Sequence, residues 1–377
     1  MTYYDFWNTY CFMITHITFK FIFNKGQIMS FSKLSILLGA IGLTVSLIGC
    51  TTTTTPLSKN QLMTNSMNHL TDSTPRLAII AAFGQEADLL IESTKDKKEY
   101  IINGRKFVTG TLEGAEVVIT LSGISMTNAA MTTQMITDHF NLKGIVFSGI
   151  AGSLNPDLHV GDVVIAKSWL APNEVYYNNT KDLPSACGKP GDISCLGIKL
   201  ADNVPAWKNQ FLRETNVMNS SNYKSVALTS KFGDTDVPMA YGEMRVDFPV
   251  DSKMLNMIDK VQKPTETKLE PICSGANCYH PKIVIGQRGI SSGAFLANAE
   301  YREYLHKNLL GDCVDMETAA VAQVAYSNNI PFIAFRSLSD LAGADHDPNV
   351  AAFFGSGIAQ RNAAKLTMAF IDQWKGQ

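Results

Sequence analysis

The sequence has few charged residues and little net charge. Asp, Glu, Lys and Arg together make up 18% of its 377 residues, whereas about a quarter is usual for soluble proteins. The formal net charge is only −2, and the basic residues are scattered, so a nucleic-acid partner is not expected. The sequence also lacks an internal repeat, which argues against a solenoid. A low charged fraction is typical of α/β folds in which the sheet is buried on both faces.

An apolar run without charges extends from Leu34 to Gly49 and is short for a transmembrane helix. Lys33 precedes it and Cys50 follows it, which is the order found in secretory signal peptides. The four residues that end at Cys50 resemble the lipobox of bacterial lipoproteins. This resemblance implies a diacylglyceryl chain on Cys50 and an exported lipoprotein on the periplasmic face of a membrane, for which we expect the outer membrane. The alternatives are an ordinary signal peptide and a buried helix.

Residues 1–28 do not fit this signal pattern. They are rich in aromatic side chains and precede Met29, which would start a short basic segment ending at Lys33. We therefore interpret residues 1–28 as a spurious extension and residues 29–49 as the signal peptide; a genuine long N-terminal region is the alternative. Residues 50–75 have the composition of a linker and are expected to be disordered.

Four of the seven cysteines lie in the middle of the chain, in surroundings rich in Gly, Pro, Ser and Asn. They form two close pairs, Cys187 with Cys195 and Cys273 with Cys278. In an oxidising compartment, four such cysteines predict two disulfides. Three connectivities are possible, and the two local pairs require the least rearrangement of the chain. A zinc site is the alternative, but no histidine at a suitable spacing supports it, so we expect no metal ion.

Strand and helix patterns alternate from residue 76 onward. The predicted strands are Leu77–Phe83, Glu116–Leu121, Gly144–Gly149, Asp162–Lys167, Ile283–Gly286 and Pro331–Arg336. The predicted helices begin at Gln85 or cover Ser125–Phe140, Met316–Asn329 and Ile358–Trp374. This alternation indicates a layered α/β fold with a mainly parallel or mixed sheet. The pattern weakens between about residues 170 and 282, which we interpret as a cysteine-containing insertion in a single domain of residues 76–377.

Three acidic residues stand where ligands of α/β folds bind. Glu86 follows the first strand, Glu317 begins the Ala-rich helix, and Asp340 follows the strand Pro331–Arg336. Each carboxylate taken alone could simply stabilise a helix N-terminus. Ligands in open α/β folds bind beyond the carboxyl ends of the strands, so the joint placement of the three acids indicates a common site.

Motifs around these acids carry a family resemblance. Residues 314–322 (VDMETAAVA) and 330–342 (IPFIAFRSLSDLA) resemble the signature of methylthioadenosine/S-adenosylhomocysteine nucleosidases and their purine phosphorylase relatives. Residues 147–154 (FSGIAGSL) and 160–164 (VGDVV) are similar to the glycine-rich turn and the following strand of that family. Residues 292–296 (SGAFL) resemble its base-stacking segment.

The motifs occur in the family's order over roughly residues 76–170 and 283–375. The chain is therefore identified as a member of the nucleoside phosphorylase/nucleosidase superfamily. The Asp-Met-Glu and Ser-Asp-Leu-Ala-Gly stretches are similar also to secreted plant storage proteins of that superfamily. The resemblance implies a three-layer phosphorylase-type fold, with a central mixed sheet flanked by helices, and a homodimer that needs no cofactor.

The resemblance also implies a role for each residue around the sugar. Cleavage of an N-glycosidic bond builds positive charge on the ribose in an oxocarbenium-like state. Glu317 would stabilise that charge by binding the ribose hydroxyls, and Met316 would pack beneath the sugar. Glu86 would activate the water that captures the sugar. Asp315 stands where the family often has Glu, so the fit to the ligand is expected to differ there.

A second set of residues would hold and protonate the base. Asp340 would donate a proton to a ring nitrogen of the purine, which requires a carboxyl pKa raised by burial. Ser339 would orient Asp340, and a purine is favoured over a pyrimidine because only a purine offers such a nitrogen. The remaining candidates contact the base or flank it, with Ile150 standing where the family has a hydroxyl residue: Phe295, Leu296, Ile150, Ala151 and Gly152.

Hydrolysis and phosphorolysis differ in the residues that they need. A phosphorylase must bind a phosphate dianion, normally with arginines near the first and third strands. The segments Phe83–Glu86 and Val118–Leu121 contain no arginine, which favours hydrolysis of a purine nucleoside, with a phosphorylase as the alternative. A non-catalytic nucleoside-binding or storage protein is a further alternative, but the presence of all three acids argues against it.

Overall fold

The computed structural model describes residues 70–172, 215–217, 228–232, 235–239, 243–343 and 355–375. Several sequence-based predictions lie outside these residues: the extension 1–28, the signal peptide 29–49, Cys50 with most of the linker 50–75, and the cysteines Cys187 and Cys195. Among the described residues, no helix is long and apolar enough to cross a membrane.

The described residues form sixteen strands. These are β1 (Asp72–Ala81), β2 (Lys95–Ile102), β3 (Arg105–Leu112), β4 (Ala115–Leu121), β5 (Phe140–Ser153), β6 (Val163–Leu170), β7 (Thr215–Val217), β8 (Leu228–Phe232), β9 (Thr235–Met239), β10 (Glu243–Arg245), β11 (Phe248–Pro249), β12 (Ile272–Ser274), β13 (Asn277–Tyr279), β14 (Ile283–Ser291), β15 (Gly311–Asp315) and β16 (Phe332–Asp340). Each of the six predicted strands overlaps one of them, namely β1, β4, β5, β6, β14 or β16, and the other ten strands were not predicted.

Six helices are described between and after these strands. They are α1 (Gly84–Ser93), α2 (Met126–His139), α3 (Ser252–Glu266), α4 (Ala299–Leu309), α5 (Thr318–Ser327) and α6 (Ile358–Trp374). The four predicted helices correspond to α1, α2, α5 and α6, and the predicted bounds of α6 agree with the structure.

Ten of the strands form one mixed sheet. Along it, β1 pairs in parallel with β4 and β5, while β2, β3 and β4 pair antiparallel as successive neighbours. At the other side, β5 pairs with β16, β16 with β6, β6 with β14, β14 with β15, and β15 again with β5. These five strands therefore close into a ring, which the 14-residue strand β5 joins to the rest of the sheet.

The helices cover both faces of the sheet. Successive residues of β1 alternate between two clusters of buried side chains, with Ala78 and Ile80 in one and Leu77 and Ile79 in the other, as expected for a strand buried on both faces. Buried residues of α2 and α5 belong to the first cluster, and those of α1, α3 and α6 to the second. The predicted three-layer fold with a mixed central sheet is thus confirmed.

The C-terminal part of the predicted insertion, about residues 170–282, packs into the core of the main domain. Helix α3 lies within that range, yet its residues Met254, Ile258 and Val261 are buried in the core against residues of α6. Strand β11 extends the main sheet by pairing with β6. The spacing of the three apolar residues, i, i+4 and i+7, is that of a core-facing helix, so this segment belongs to the main fold.

Strands β12 and β13 form a small hairpin before β14. Their register places Cys273 opposite Cys278, and the two residues form a disulfide. This is one of the two local pairs predicted from the sequence. The other pair, Cys187 with Cys195, stays a prediction because both residues lie outside the described part of the chain.

Candidate active site

A pocket of about 620 Å³, including its open mouth, lies at the carboxyl ends of β1, β15 and β16. The carboxyl ends of the strands are where ligands of α/β sheets bind. The ten pocket residues proposed from the sequence all line it: Glu86, Ile150, Ala151, Gly152, Phe295, Leu296, Met316, Glu317, Ser339 and Asp340.

Glu86 is held in one orientation by backbone donors. It is the third residue of α1, and its Oε2 accepts hydrogen bonds from the N–H groups of Ala82 at 2.7 Å and Phe83 at 3.3 Å. Its Oε1 accepts from the N–H of Ile150 at 2.8 Å, so the carboxylate links the end of β1 to β5. Burial raises the pKa of Glu86 above its usual value, while Arg336 and the three backbone donors oppose that shift. A buried carboxylate with a raised pKa is a suitable general base.

Arg336 connects three carboxylates beneath the pocket. Its side chain is fully buried, with Nε 2.8 Å from Oδ2 of Asp315 and Nη2 3.2 Å from Oε2 of Glu317. Its Nη1 lies 3.8 Å from Oε1 of Glu86 and has no hydrogen-bond partner among the described residues. The guanidinium also stacks over the ring of Phe147, at 4.5 Å from the ring centroid. A buried arginine in this position compensates charges that would otherwise repel one another.

Asp315 anchors the segment that presents Glu317. Its Oδ1 accepts hydrogen bonds from Ser291 Oγ at 2.5 Å and from the N–H groups of Glu317 and Thr318, both at 3.2 Å. Its Oδ2 accepts from Arg336 and from the hydroxyl of Thr318. Because both oxygens are bound in this way, the orientation of the start of α5 is fixed.

Glu317 is the N-cap of α5, as the sequence predicted, and its side chain faces the pocket. Its Oε1 accepts a hydrogen bond of 2.8 Å from the N–H of Ser125, the residue before α2. Ser125 has a φ of +92°, a value uncommon outside glycine. Burial, and next the charge of Asp315, raise the pKa of Glu317 to about 7 against the opposing effect of Arg336.

Asp340 lies at the end of β16, where the pairing with β5 is irregular. The register passes from Leu338 opposite Ala151 to Asp340 opposite Gly152, so no residue of β5 lies opposite Ser339 in the register, although its Oγ is 3.3 Å from the carbonyl oxygen of Ala151. Ser339 Oγ donates a 2.8 Å hydrogen bond to Oδ2 of Asp340. Oδ1 of Asp340 accepts from the N–H of Ala342 at 2.9 Å. Bulges of this kind occur next to active sites, where they redirect a side chain.

The residues proposed to contact a base lie at the mouth of the pocket and along β5. Phe295 is 68% exposed although it lines the pocket, which leaves a face of its ring available for stacking on a flat ligand. On the opposite wall, a Cβ on Gly152 would come within 2.8 Å of Oδ1 of Asp340. Only glycine allows this approach of the backbone to the carboxylate.

The glycine-rich segment is not the turn that the sequence predicted. Gly149 and Gly152 are inside β5, which continues to Ser153. A Cβ on Gly149 would lie 2.2 Å from Oε1 of Glu86 and 2.3 Å from Nη1 of Arg336. The glycines are therefore needed where carboxylates and a guanidinium approach the strand, and not for a change of chain direction.

Arg336 was missed as a functional residue by sequence reasoning. It was assigned only to the predicted strand Pro331–Arg336, although a single arginine among apolar strand residues carries a signal. An arginine is almost never fully buried unless it is paired. An arginine in an otherwise apolar, buried strand therefore predicts that carboxylates surround its guanidinium. Here those carboxylates are the three described above.

Comparison with known proteins gives consistent results along most of the chain. Residues 76–372 match the model of the phosphorylase superfamily. A protein of Mycobacterium tuberculosis named 5'-methylthioadenosine/S-adenosylhomocysteine nucleosidase is 27% identical over 293 residues, which are 77% of this chain and 94% of that protein. The protein of the same name from Staphylococcus haemolyticus is 26% identical over 297 residues, covering 78% of this chain and 97% of the relative.

Solved structures resemble the fold. The 5'-methylthioadenosine/S-adenosylhomocysteine nucleosidase of S. pneumoniae, solved with a transition-state inhibitor, has a TM-score of 0.52 at 22% identity and covers 79% of this chain and 98% of its own. The futalosine hydrolase of Helicobacter pylori has a TM-score of 0.52 at 19% identity and the same coverage. The family match extends over more than half of the chain, and the chain therefore belongs to the phosphorylase superfamily.

Proposed function

We propose that the protein hydrolyses the N-glycosidic bond of a purine nucleoside of the methylthioadenosine/S-adenosylhomocysteine type, giving the free base and the ribosyl product. Nucleosidase-type activity on a small nucleoside is supported by the relatives that carry that name. The observation that carries the proposal is the arrangement in one pocket of Glu86, Glu317 and Asp340, with Arg336 linking the first two.

The proposed reaction begins with weakening of the bond between C1' of the ribose and the purine. As the bond breaks, its electron pair moves to the base and positive charge develops on the sugar. Glu317 binds the ribose hydroxyls in its ionised form and stabilises this charge, with Met316 beneath the sugar. The hydrogen bonds from Ser125 N–H and Arg336 hold the carboxylate in place before the substrate arrives, so little reorganisation is needed during the reaction.

Water then adds to C1' and transfers a proton to Glu86. The buried Nη1 of Arg336, which lacks a hydrogen-bond partner among the described residues, faces Oε1 of Glu86. A water molecule held by these two groups would be oriented by the N–H of Arg336 and deprotonated by the carboxylate of Glu86. The raised pKa of Glu86, caused mainly by burial, makes its carboxylate a stronger base than an exposed one.

Asp340 supplies the proton that the departing base needs. Its carboxyl group is oriented by Ser339 Oγ and by the N–H of Ala342. Phe295, largely exposed at the mouth, stacks on the purine and sets its distance from Asp340. The proton moves from Asp340 to a ring nitrogen while the electron pair of the glycosidic bond moves to the base, so a neutral purine leaves.

The charge of the pocket favours water over phosphate as the second substrate. Of the described residues that line the pocket, none is a lysine or an arginine, whereas four carry carboxylates: Glu86, Asp315, Glu317 and Asp340. Arg336 lies beneath the pocket and is engaged with three of these carboxylates, those of Glu86, Asp315 and Glu317. A phosphate dianion would therefore meet repulsion from these carboxylates, and no lysine or arginine among the described lining residues would bind it.

The test is a direct assay of the purified protein with methylthioadenosine, with adenine release followed by chromatography in phosphate-free buffer. We expect adenine and methylthioribose, at a rate that added phosphate does not increase. Phosphate-dependent turnover with a ribose phosphate as product would establish a phosphorylase instead. Binding of the nucleoside without release of adenine would establish a binding or storage protein.

We further propose that the protein is exported, anchored to a membrane through a lipid on Cys50, and a homodimer. The order of basic residue, apolar run and lipobox-like segment before Cys50 supports the anchor. Exposed large apolar side chains support a second copy: Ile124 and Phe295, which line the pocket, are 53% and 68% exposed, and Met131 in α2 is 46% exposed. Light scattering of a soluble form that lacks the lipid should give the mass of a dimer. The mass of a monomer at all protein concentrations would contradict the proposed homodimer.

A further inference from the structure

A tyrosine of the disulfide hairpin β12–β13 forms a hydrogen bond to the turn that leads into the main sheet. Tyr279, which follows Cys278, donates a hydrogen bond of 2.7 Å from its hydroxyl to Oδ1 of Asp162. The ring of Tyr279 also lies against that of His159, with 4.8 Å between the centroids. The disulfide to Cys273 holds the residue before Tyr279 in the hairpin, so the position of the hydroxyl is tied to the covalent bridge.

Asp162 closes the turn that leads into β6. It is fully buried, and besides Tyr279 it accepts hydrogen bonds from the N–H of Lys282 at 2.9 Å and from that of His159 at 3.0 Å. Next to it, Gly161 has a φ of +91°, and a Cβ there would lie 2.3 Å from Cδ1 of Ile272 in the hairpin. The hairpin therefore contacts this turn both by a hydrogen bond and by packing.

The same turn holds the strand that carries the proposed acid. The N–H of Gly161 donates to the carbonyl oxygen of Leu338 at 2.7 Å, and the N–H of Leu338 donates to the carbonyl oxygen of Asp162 at 2.8 Å. Leu338 is the last residue of β16 in regular register with β5 before the bulge that contains Ser339. The two hydrogen bonds thus fix the backbone immediately before Ser339 and Asp340.

We propose that Tyr279, held by the Cys273–Cys278 bridge, is a positioning residue that keeps Asp340 aligned with the departing base through Asp162 and Leu338. This inference rests on the proposed role of Asp340 as proton donor. Burial, and then its hydrogen bond to Asp162, raise the pKa of Tyr279 well above its usual value, so the hydroxyl stays protonated and continues to donate at neutral pH.

The first test is Tyr279→Phe in the full-length protein. Displacement of a catalytic group by a fraction of an ångström costs rate more than binding, so we expect kcat for methylthioadenosine to fall about tenfold with KM within twofold. Nitrophenyl riboside has a leaving group that needs little protonation, and its cleavage should change by less than about twofold. Equal losses on the two substrates, or no loss on methylthioadenosine, would overturn the inference.

Tyr326→Phe is the matched control, because it too removes a hydrogen bond from a tyrosine hydroxyl to a carboxylate. Tyr326 donates to Oε2 of Glu243 at 2.6 Å and lies towards the C-terminal end of α5, away from the pocket. This variant should keep the ratio of the two activities found in the unchanged protein. The double variant Cys273→Ser/Cys278→Ser should behave like Tyr279→Phe, and combining all three changes should cause no further loss, as expected for residues that act through one connection.

Hydrogen exchange tests the connection without an activity assay. The N–H of Leu338 reports its bond to Asp162 directly, and we expect it to exchange faster in Tyr279→Phe and after reduction of the bridge, but not in Tyr326→Phe. Unchanged exchange at Leu338 in Tyr279→Phe would refute the connection whether or not the protein is an enzyme. Accelerated exchange in a protein that releases no purine would retain the connection and refute only the proposed function.

Discussion

Oε1 of Glu86 and Nη1 of Arg336 face each other across 3.8 Å, and a Cβ on Gly149 would lie within 2.3 Å of both. The separation is too long for a direct hydrogen bond between the two groups, so both stay able to bind the water proposed as the nucleophile. Because Gly149 belongs to β5 and not to a flexible loop, the strand itself sets this distance.

Gly149→Ala should therefore inactivate the protein. The added methyl group must displace Glu86 or Arg336, and we expect kcat/KM for methylthioadenosine to fall by more than about a hundredfold. The same overlap should lower the free energy of unfolding by about 1–3 kcal/mol, as overpacking of a core does. Gly355→Ala is the control, since a Cβ there meets no atom of the described residues within 4 Å. Near-normal turnover by Gly149→Ala would show that the Glu86–Arg336 spacing is not used.

The pKa of about 7 that burial and Asp315 give to Glu317 predicts a pH dependence. If ionised Glu317 binds the ribose, kcat/KM should fall as the pH drops below about 7, because the carboxylate then gains a proton. Glu317→Gln should show almost no nucleoside cleavage, whereas Glu303→Gln, which alters an exposed ion pair with Lys307, should be as active as the unchanged protein. Wild-type-like turnover by Glu317→Gln would refute the assignment of the ribose site.

The raised pKa of Glu317 affects stability and activity in opposite directions: activity should fall at low pH, whereas stability should be greater there. The folded state binds the proton of Glu317 more tightly than the unfolded chain does, so this group stabilises the fold fully below about pH 4.3. That contribution is lost as the pH rises through about 7. Chemical denaturation between pH 5 and 8 should show a loss of stability across this window. The loss should be smaller in Glu317→Gln, in which, of the two buried carboxyls Glu86 and Glu317, only Glu86 still has a pKa raised by burial.

The fold class and the acidic residues of the pocket could be predicted from the sequence. Runs such as Leu77–Phe83 predict buried strands because an apolar segment of that length must be covered on both faces. The positions of Glu86 and Asp340 followed from their place after strands and that of Glu317 from its place at a helix start, and the pocket contains all three. Local patterns are informative here because each acid lies at an end of an element, where its direction is fixed.

Long-range requirements were not visible in local patterns. Gly149 suggested a turn, since a glycine needed for close approach of Arg336 cannot be told from one needed for bending. The residues of helix α3 were assigned to an insertion, although an aspartate precedes them in the position of an N-cap. In the structure Asp251 is that N-cap and accepts hydrogen bonds from the N–H groups of Lys253 and Met254. The connection from Tyr279 to Asp162 joins residues 117 positions apart, and spacing along the chain gives no signal for such a contact.

The proposed lipid anchor can be tested without an activity assay. Cys50→Ser should prevent attachment of the diacylglyceryl group, since only a cysteine thiol can accept it, and should leave uncleaved precursor or soluble protein. Fractionation of cells that express the two forms would measure the change. Cys313→Ser is a suitable control, because Cys313 is a buried free thiol within the folded domain. Unchanged membrane association of Cys50→Ser would mean that the apolar segment itself is the anchor.

The proposed roles of Asp340 as proton donor and of Glu86 as general base give the most direct test of the reaction. Asp340→Asn removes the proposed proton donor, and general acid catalysis is typically worth about a hundred- to ten-thousandfold. We therefore expect cleavage of adenosine-type substrates to fall by that factor. Nitrophenyl riboside should be affected much less, because its leaving group departs with little protonation.

Glu86→Gln should slow both substrates, because each requires a deprotonated water to capture the sugar whatever the leaving group is. The two variants measured with the two substrates thus form a pattern of four rates, of which only the cleavage of nitrophenyl riboside by Asp340→Asn should stay near normal. Equal losses on both substrates in Asp340→Asn would mean that this residue shapes the pocket and does not donate the proton. A Glu86→Gln variant that spares nitrophenyl riboside would assign Glu86 to the base and not to the water, since the capture step is common to both reactions.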